Sequence, residues 1–401
     1  MSDKPYPSER HRSIAESWIE QRDMAAQPQD FPRRSFQEAL ALTPLPASQD
    51  AHGRVVKRYM SRQPAWKPGD ELPWDAVFSS LDGPRPRYGS AGVFGGHVYA
   101  QAPLCAARAV EEEEQQQLGV ISSSSQGKLG IHSIQGVFTA PGLKDRPFVY
   151  EVAPLSNGRS FSARTVNARQ TKEPSKEPLG PFPASDADLP LKDVCFSCIT
   201  TFKRSHPMVD DIQPTQSAQE IYADILSARA PHEWDTSPQS DVDFIKDLFP
   251  NAGHGGFPIL DMHKVDMTEF NAGKPIPERR ELIYYRLMKP LDEDDVNAHI
   301  VCHAYEADRN GLIMCGNHLG YGYNLGAVAS LTYSFYVHVN PEEMVLDTER
   351  WWLQEVSWPR VNAGRCMMES RLWSPEGRHI ASGYQDGIIQ PDKSSGGYGK
   401  L

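Results

Sequence analysis

The chain has 401 residues, a formal net charge of −11 and 39% hydrophobic residues, which is enough for two ordinary domains with a sizeable core. Its acidity disfavours non-specific nucleic-acid binding, because a phosphate backbone would be repelled, but a local basic patch can still take an anionic small ligand. No apolar run reaches the ~18 residues that a membrane span needs, and the first 30 residues lack the apolar stretch of a secretory signal and carry acids that a mitochondrial presequence avoids.

Residues 1–70 are rich in Pro and charge. They predict an extended arm with one amphipathic helix over 13–22 and a short packed helix in "SFQEALALTPLP", ended by Pro44 and Pro46. The next helical segment is "FGGHVYAQAPLCAARAVEE", which Pro103 is expected to kink or divide. "EEEEQQQLGVISSSSQGKLG" (111–130) reads as an exposed polar insert. "RPFVYEVAPLSNGRSFSARTVNARQ" predicts two β-strands around the turn "SNG", with Ser160, Ser162 and Arg164 on a solvated face. "RQTKEPSKEPLGPFPASDADLP" is a second polar loop. "DVCFSCITTFKR" is strand-like, so Cys195 and Cys198 read as buried thiols rather than a redox pair. With Cys105, Cys302, Cys315 and Cys366 they make six, too few for a disulfide scaffold and natural in a reducing compartment.

Residues 206–250 are polar and read as a linker with a helix over 218–228. Beyond it come a helical segment around "HAYEADRNGLIM" and the strands "VASLTYSFYVHV", "RWWLQEVSWPR" and "NAGRCMMESRLWSPEGRHIASGYQDGII". Gly158-Arg159 and Gly364-Arg365 lie 206 residues apart in similar contexts, which points to an internal duplication. One helix and a set of antiparallel strands, made twice, is an α+β layout.

On a helical wheel of residues 300–313, Asp308 falls among Ile300, Val301, Ala304, Ala307, Gly311 and Leu312. Glu306, Arg309 and Asn310 fall on the other side and are expected to face solvent. A carboxylate on an apolar face is costly unless it is hydrogen-bonded, and is therefore a site candidate. The competing reading is a turn at "ADRNG" with Asp308 capping it in solvent. Along "SLTYSFYVH" the hydroxyls of Ser330, Thr332 and Ser334 alternate with apolar residues, and along "IASGYQDG" Gln385 shares a face with Ala381 and Gly383.

These segments resemble the acyl-CoA thioesterase II family, the double hotdog thioesterases of bacteria and peroxisomes. "VFGGHVYAQA" is similar to the family's Phe-Gly-Gly-(Gln/His) helix start, and "PLSNGRSFSARTVNARQ" to its Gly-x-Ser-Phe-Ser-x-Arg strand. "AYEADRNGL", "SLTYSFYVH" and "IASGYQDGII" resemble its second-half helix and strands, and the matches cover roughly 88–205 and 255–390 in order. The resemblance implies two tandem hotdog domains, each a long helix wrapped by a curved antiparallel sheet. On that reading 1–70 is an arm, 71–205 the first hotdog domain, 206–250 a linker, 251–391 the second domain and 392–401 a tail.

The family's catalytic set carries over to Asp308, Ser330 and Gln385, with Thr332 as an alternative hydroxyl because Thr332-Tyr333 replaces the family's Asp-His. The implied reaction is hydrolysis of acyl-CoA thioesters by a water that Asp308 activates. Ser330 and Gln385 donate to Asp308, no metal or cofactor is needed, and coenzyme A is part of the substrate. Phosphate contacts are sought among Arg159, Arg164, Lys203, Arg204 and Arg365. A homo-oligomer is compatible with this reading. Two alternatives stay open: an enoyl-CoA hydratase or dehydratase using His338 or His318, and a non-catalytic acyl-CoA-binding protein. "HGGF" at His254 resembles an oxyanion motif, but no Gly-x-Ser-x-Gly accompanies it. The ending Gly399-Lys400-Leu401 resembles the peroxisomal Ser-Lys-Leu signal and points to peroxisomes, with the cytoplasm as the alternative.

Overall fold

The computed structural model describes residues 32–49, 53–72, 92–118, 129–207, 209–250 and 252–392. The helix expected over 13–22 and the terminal Gly-Lys-Leu lie outside the described residues. Thirteen antiparallel strands form one continuous sheet, ordered β1-β2-β4-β5-β6-β3-β10-β13-β12-β11-β9-β8-β7. The strands of the first half are β1 (Leu42–Gln49), β2 (Val55–Ser61), β3 (Leu129–Phe138), β4 (Phe148–Asn157), β5 (Phe161–Gln170) and β6 (Phe196–Arg204). Those of the second are β7 (Asp235–Thr236), β8 (Leu260–Lys264), β9 (Glu281–Leu287), β10 (Leu325–Val337), β11 (Trp352–Asn362), β12 (Arg365–Trp373) and β13 (His379–Pro391). The order is a near-palindrome about the β3–β10 pair, with β6 answering β13, β5 answering β12 and β4 answering β11. The β4–β5 turn holds Gly158-Arg159, and the β11–β12 turn holds Gly364 with Arg365 opening β12, so the duplication is one of structure as well as sequence.

Helix α1 (Gly95–Leu118) and helix α2 (Val296–Ala307) pack against each other inside the curve of this sheet. The arrangement is the expected double hotdog. Helix α1 runs unbroken past Pro103 and through Glu111–Leu118, so the polar run at 111 begins as helix and not as loop. Its acids have partners on the sheet: Arg164 of β5 pairs with Glu113 at 2.5 Å, and Arg204 of β6 pairs with Glu114. Helix α1 packs on β5, and Ser162 and Arg164 are buried rather than solvated.

Every residue of α2 is buried, including Glu306. One side meets α1 and the other meets the sheet, so no polar face is left for solvent. Glu306 and Arg309, expected outside, are 0% and 1% exposed. The residues assigned to the arm and the linker also join the body. Phe36–Ala39 is a short helix with a Ser35/Glu38 capping box, and Pro44 and Pro46 lie within β1, an edge strand, where a missing N–H is tolerated. Residues 218–226 form two short helices whose Tyr222 and Leu226 pack with Trp234 on Leu353 of β11, covering the outer face of the second half. All six cysteines are free and buried.

Candidate active site

Helix α2 stops at Asp308 because Asn310 adopts a left-handed conformation (φ 55°), which its short amide side chain tolerates. That side chain is fixed, donating to the Pro238 carbonyl at 3.0 Å. The chain restarts as helix α3 (Gly311–His318), with the Trp358 indole N–H on the Gly311 carbonyl at 2.9 Å. A turn is therefore present, as the competing sequence reading held, but it is buried: Asp308 is 7% exposed.

The Asp308 carboxylate meets the start of α1. It accepts the backbone N–H of Gly96. A Cβ at Gly95 or Gly96 would lie 3.3 or 3.2 Å from its Oδ2, so the two glycines permit this close approach. On the other side, Gln385 Nε2 donates to Asp308 Oδ1 and also to Ser330 Oγ at 2.7 Å. Burial raises the carboxyl to about 7, and the Gly96 and Gln385 hydrogen bonds restrain that rise.

Ser330 reaches this point through a bulge. Ser330 pairs with Gly387, but Thr332 pairs with Asp386, so β10 carries one extra residue there. The bulge turns Ser330 inward beside Gln385 and leaves Thr332 exposed. The strict alternation read from the sequence, which put both hydroxyls on one face, fails at this residue. Ser330 also touches Gln385 and not the carboxylate, so its link to Asp308 runs through that amide. Tyr333 lies opposite Gln385 with its hydroxyl over Gly383, where a Cβ would stand 2.5 Å away.

The three side chains open on a cavity of about 390 Å³, walled by Trp66, Phe94, Phe138 and Phe196 from the first half and by Leu312 and Val328 from the second. No histidine is among the described residues that line it. His338 is engaged with Ser382 at 2.9 Å and His318 with Glu281 at 2.9 Å. His254 holds the Met262 backbone, its ring nitrogen 2.8 Å from the carbonyl. Arg309 points away from Asp308, donating to the Ser237 and Pro238 carbonyls at 3.3 and 2.8 Å and lying 3.5 Å from the Phe257 ring centroid. Burial lowers it to about 10, which leaves it charged at neutral pH.

None of the five basic residues proposed for phosphate lines the cavity. Arg164 and Arg204 hold the acids of α1, Arg365 pairs with Asp386, the Arg159 carbonyl accepts from Arg204 at 2.8 Å, and Lys203 is exposed on β6.

The duplication builds one such cluster. By register, Ile131 and Thr200 occupy in the first half the places of Ser330 and Gln385. At the start of α2, Asn297 fills the space that the glycines leave open on α1. Its side chain accepts from the Ile131 N–H at 2.8 Å. The contribution of Gly95-Gly96 to the Asp308 site was not anticipated; the Phe-Gly-Gly helix start was the available signal.

Sequence profiles of the acyl-CoA thioesterase N-terminal and C-terminal domains match residues 82–182 and 239–389. Human acyl-coenzyme A thioesterase 8 is 22% identical over 308 residues, covering 74% of this chain and 80% of that one. Acyl-CoA thioesterase 2 of Haemophilus influenzae is 40% identical over 80 residues, 20% of this chain and 23% of that one. The crystal structure of acyl-CoA thioesterase II TesB2 from Mycobacterium marinum superposes with a TM-score of 0.53 at 18% identity, over 90% of this chain and 100% of that one.

Proposed function

The chain belongs to the acyl-CoA thioesterase family, and from that premise we propose that it hydrolyses acyl-CoA thioesters with Asp308 as the base and Gln385 and Ser330 as its positioning partners. The observation that carries the assignment is a buried carboxylate, ionisable near neutrality, held between a helix start and an amide at the edge of an apolar cavity. A general base works best when its pKa lies near the working pH. Asp308, at about 7, meets that condition because of burial.

The acyl chain lies in the cavity and the thioester carbonyl faces Asp308. Asp308 takes a proton from a water as the water oxygen bonds to the carbonyl carbon. The tetrahedral oxyanion collapses, the C–S bond breaks, and the thiolate of coenzyme A leaves with the electron pair and is protonated by Asp308 or solvent. Gln385 fixes the carboxylate, and Ser330, accepting from Gln385, keeps its own O–H to donate toward the water. The positive end of the α1 dipole faces the negative charge of Asp308 and of the transition state. No cofactor enters these steps.

The cavity disfavours the hydratase alternative, which needs an imidazole beside the acid, since no histidine is among its described lining residues. The test is to mix the protein with saturated acyl-CoAs of graded length and follow free thiol, and separately with an enoyl-CoA and follow loss of the double bond. Thiol release without hydration is expected. Hydration without thiol release would establish the lyase reading, and tight binding with neither would make the protein a carrier.

A further inference from the structure

Resting on the thioesterase reading, we infer that Lys67 and Lys144 form the phosphate-binding rim of the cavity, holding the anionic nucleotide end of coenzyme A while its thioester reaches Asp308. An acidic chain that takes so anionic a substrate must supply positive charge locally. Arg164, Arg204 and Arg365 are committed to carboxylates elsewhere. Lys67 sits between the cavity-lining residues Trp66 and Pro68, and Lys144 lies two residues beyond the lining residue Gly142.

Backbone hydrogen bonds tie both segments to residues that line the cavity. The Phe94 N–H donates to the Trp66 carbonyl at 3.0 Å and the Val93 N–H to the Gly142 carbonyl at 2.9 Å, so the segment leading into α1 ties them together. The Gly69 N–H donates to the side chain of Gln239, itself a lining residue, at 3.2 Å. The turn that carries Lys67 is therefore anchored to the cavity wall.

The two ammonium groups converge on one carboxylate. Lys144 Nζ lies 2.5 Å and Lys67 Nζ 3.9 Å from the oxygens of Asp70. The three side chains are 38%, 31% and 35% exposed, so solvent and ligand reach them. Within this cluster two cations meet one carboxylate, while the neighbouring Glu71 accepts from the Gly256 N–H and Asp145 pairs with Arg146. The two lysines bring two donors within reach of a single group, which suits a phosphate or diphosphate that displaces or joins Asp70.

The experiment compares an acyl-CoA with the matching acyl-pantetheine, which carries the same thioester without phosphates. In the double variant Lys67→Ala/Lys144→Ala, the ratio of kcat/KM for the two esters should fall roughly tenfold, and the dependence of KM on salt should become shallower. Asp70→Asn, which removes the competing carboxylate, should move the ratio the opposite way, an outcome that a folding defect would not produce. A ratio within twofold of wild type in the double variant would overturn the assignment. If the wild-type protein releases thiol from neither ester, the thioesterase reading fails. Equilibrium binding of coenzyme A against pantetheine then reads the rim directly: loss of the preference in the double variant supports it, and an unchanged preference refutes it.

Discussion

Replacing Gln385 by Met tests how the acid is tuned. Gln385 is 1% exposed and its Nε2 reaches both Asp308 and Ser330. Met keeps much of the volume and removes the donor. The carboxylate then relies on the Gly96 N–H, and burial acts on it with less opposition. A hydrogen bond to a charged group contributes about 1.5–3 kcal/mol, and the site is too buried for solvent to replace it at once. At about 1.4 kcal/mol per pH unit, the acid limb of kcat/KM should move up by about one to two units. The limb starts near 7 in the wild type, where burial has raised Asp308. The assay is thiol release from one acyl-CoA between pH 5 and 10 at constant ionic strength. A variant that loses activity equally at every pH, with its limb unmoved, would show that Gln385 does not set the charge of Asp308.

Ser330→Ala should lower kcat by roughly three- to tenfold, the worth of one neutral hydrogen bond, while Thr332→Val should leave it within about twofold because that side chain is exposed. The opposite pattern in steady-state kinetics would move the working hydroxyl to Thr332. Gly96→Ala places a Cβ 2.4 Å from the buried Phe94 ring and 3.2 Å from Asp308 Oδ2, and should cut kcat by about 10²-fold through displacement of the acid. Wild-type turnover in that variant would show that the helix start need not approach. Asp308 also leaves a mark on stability. Its pKa is raised on folding from 3.8 to about 7, so its proton stabilises the fold fully below 3.8, and that contribution is lost as pH rises through 7. The loss is roughly 4 kcal/mol. Urea denaturation of wild type and Asp308→Asn from pH 4 to 8 should show a flatter profile for the variant, and parallel profiles would mean that the acid is not perturbed.

The strands and the two long helices were legible because apolar periodicity and turn residues report them locally, and the wheel placed Asp308 inward while a solvent-capped turn stayed open. The same wheel misplaced Glu306 and Arg309. A wheel assumes one polar face in solvent, and α2 has none, since the second layer that covers it is distant in sequence. The polar run at Glu111 looked like loop because its partners, Arg164 and Arg204, lie 51 and 90 residues away. Ser330 and Gln385 could be named by resemblance, but the bulge at Leu331 that brings them together is a property of the pairing between β10 and β13. The close approach of Gly95 and Gly96 to Asp308 joins two halves of the duplication, and no local pattern encodes it.

The decisive measurement is the turnover of Asp308→Asn on an acyl-CoA that the wild type cleaves, followed as free coenzyme A, with thermal unfolding run alongside. A folded protein whose kcat falls by about 10³-fold or more is expected, since the amide cannot accept the proton of the attacking water. A folded variant with kcat within tenfold of wild type would contradict the assignment of Asp308 as the base.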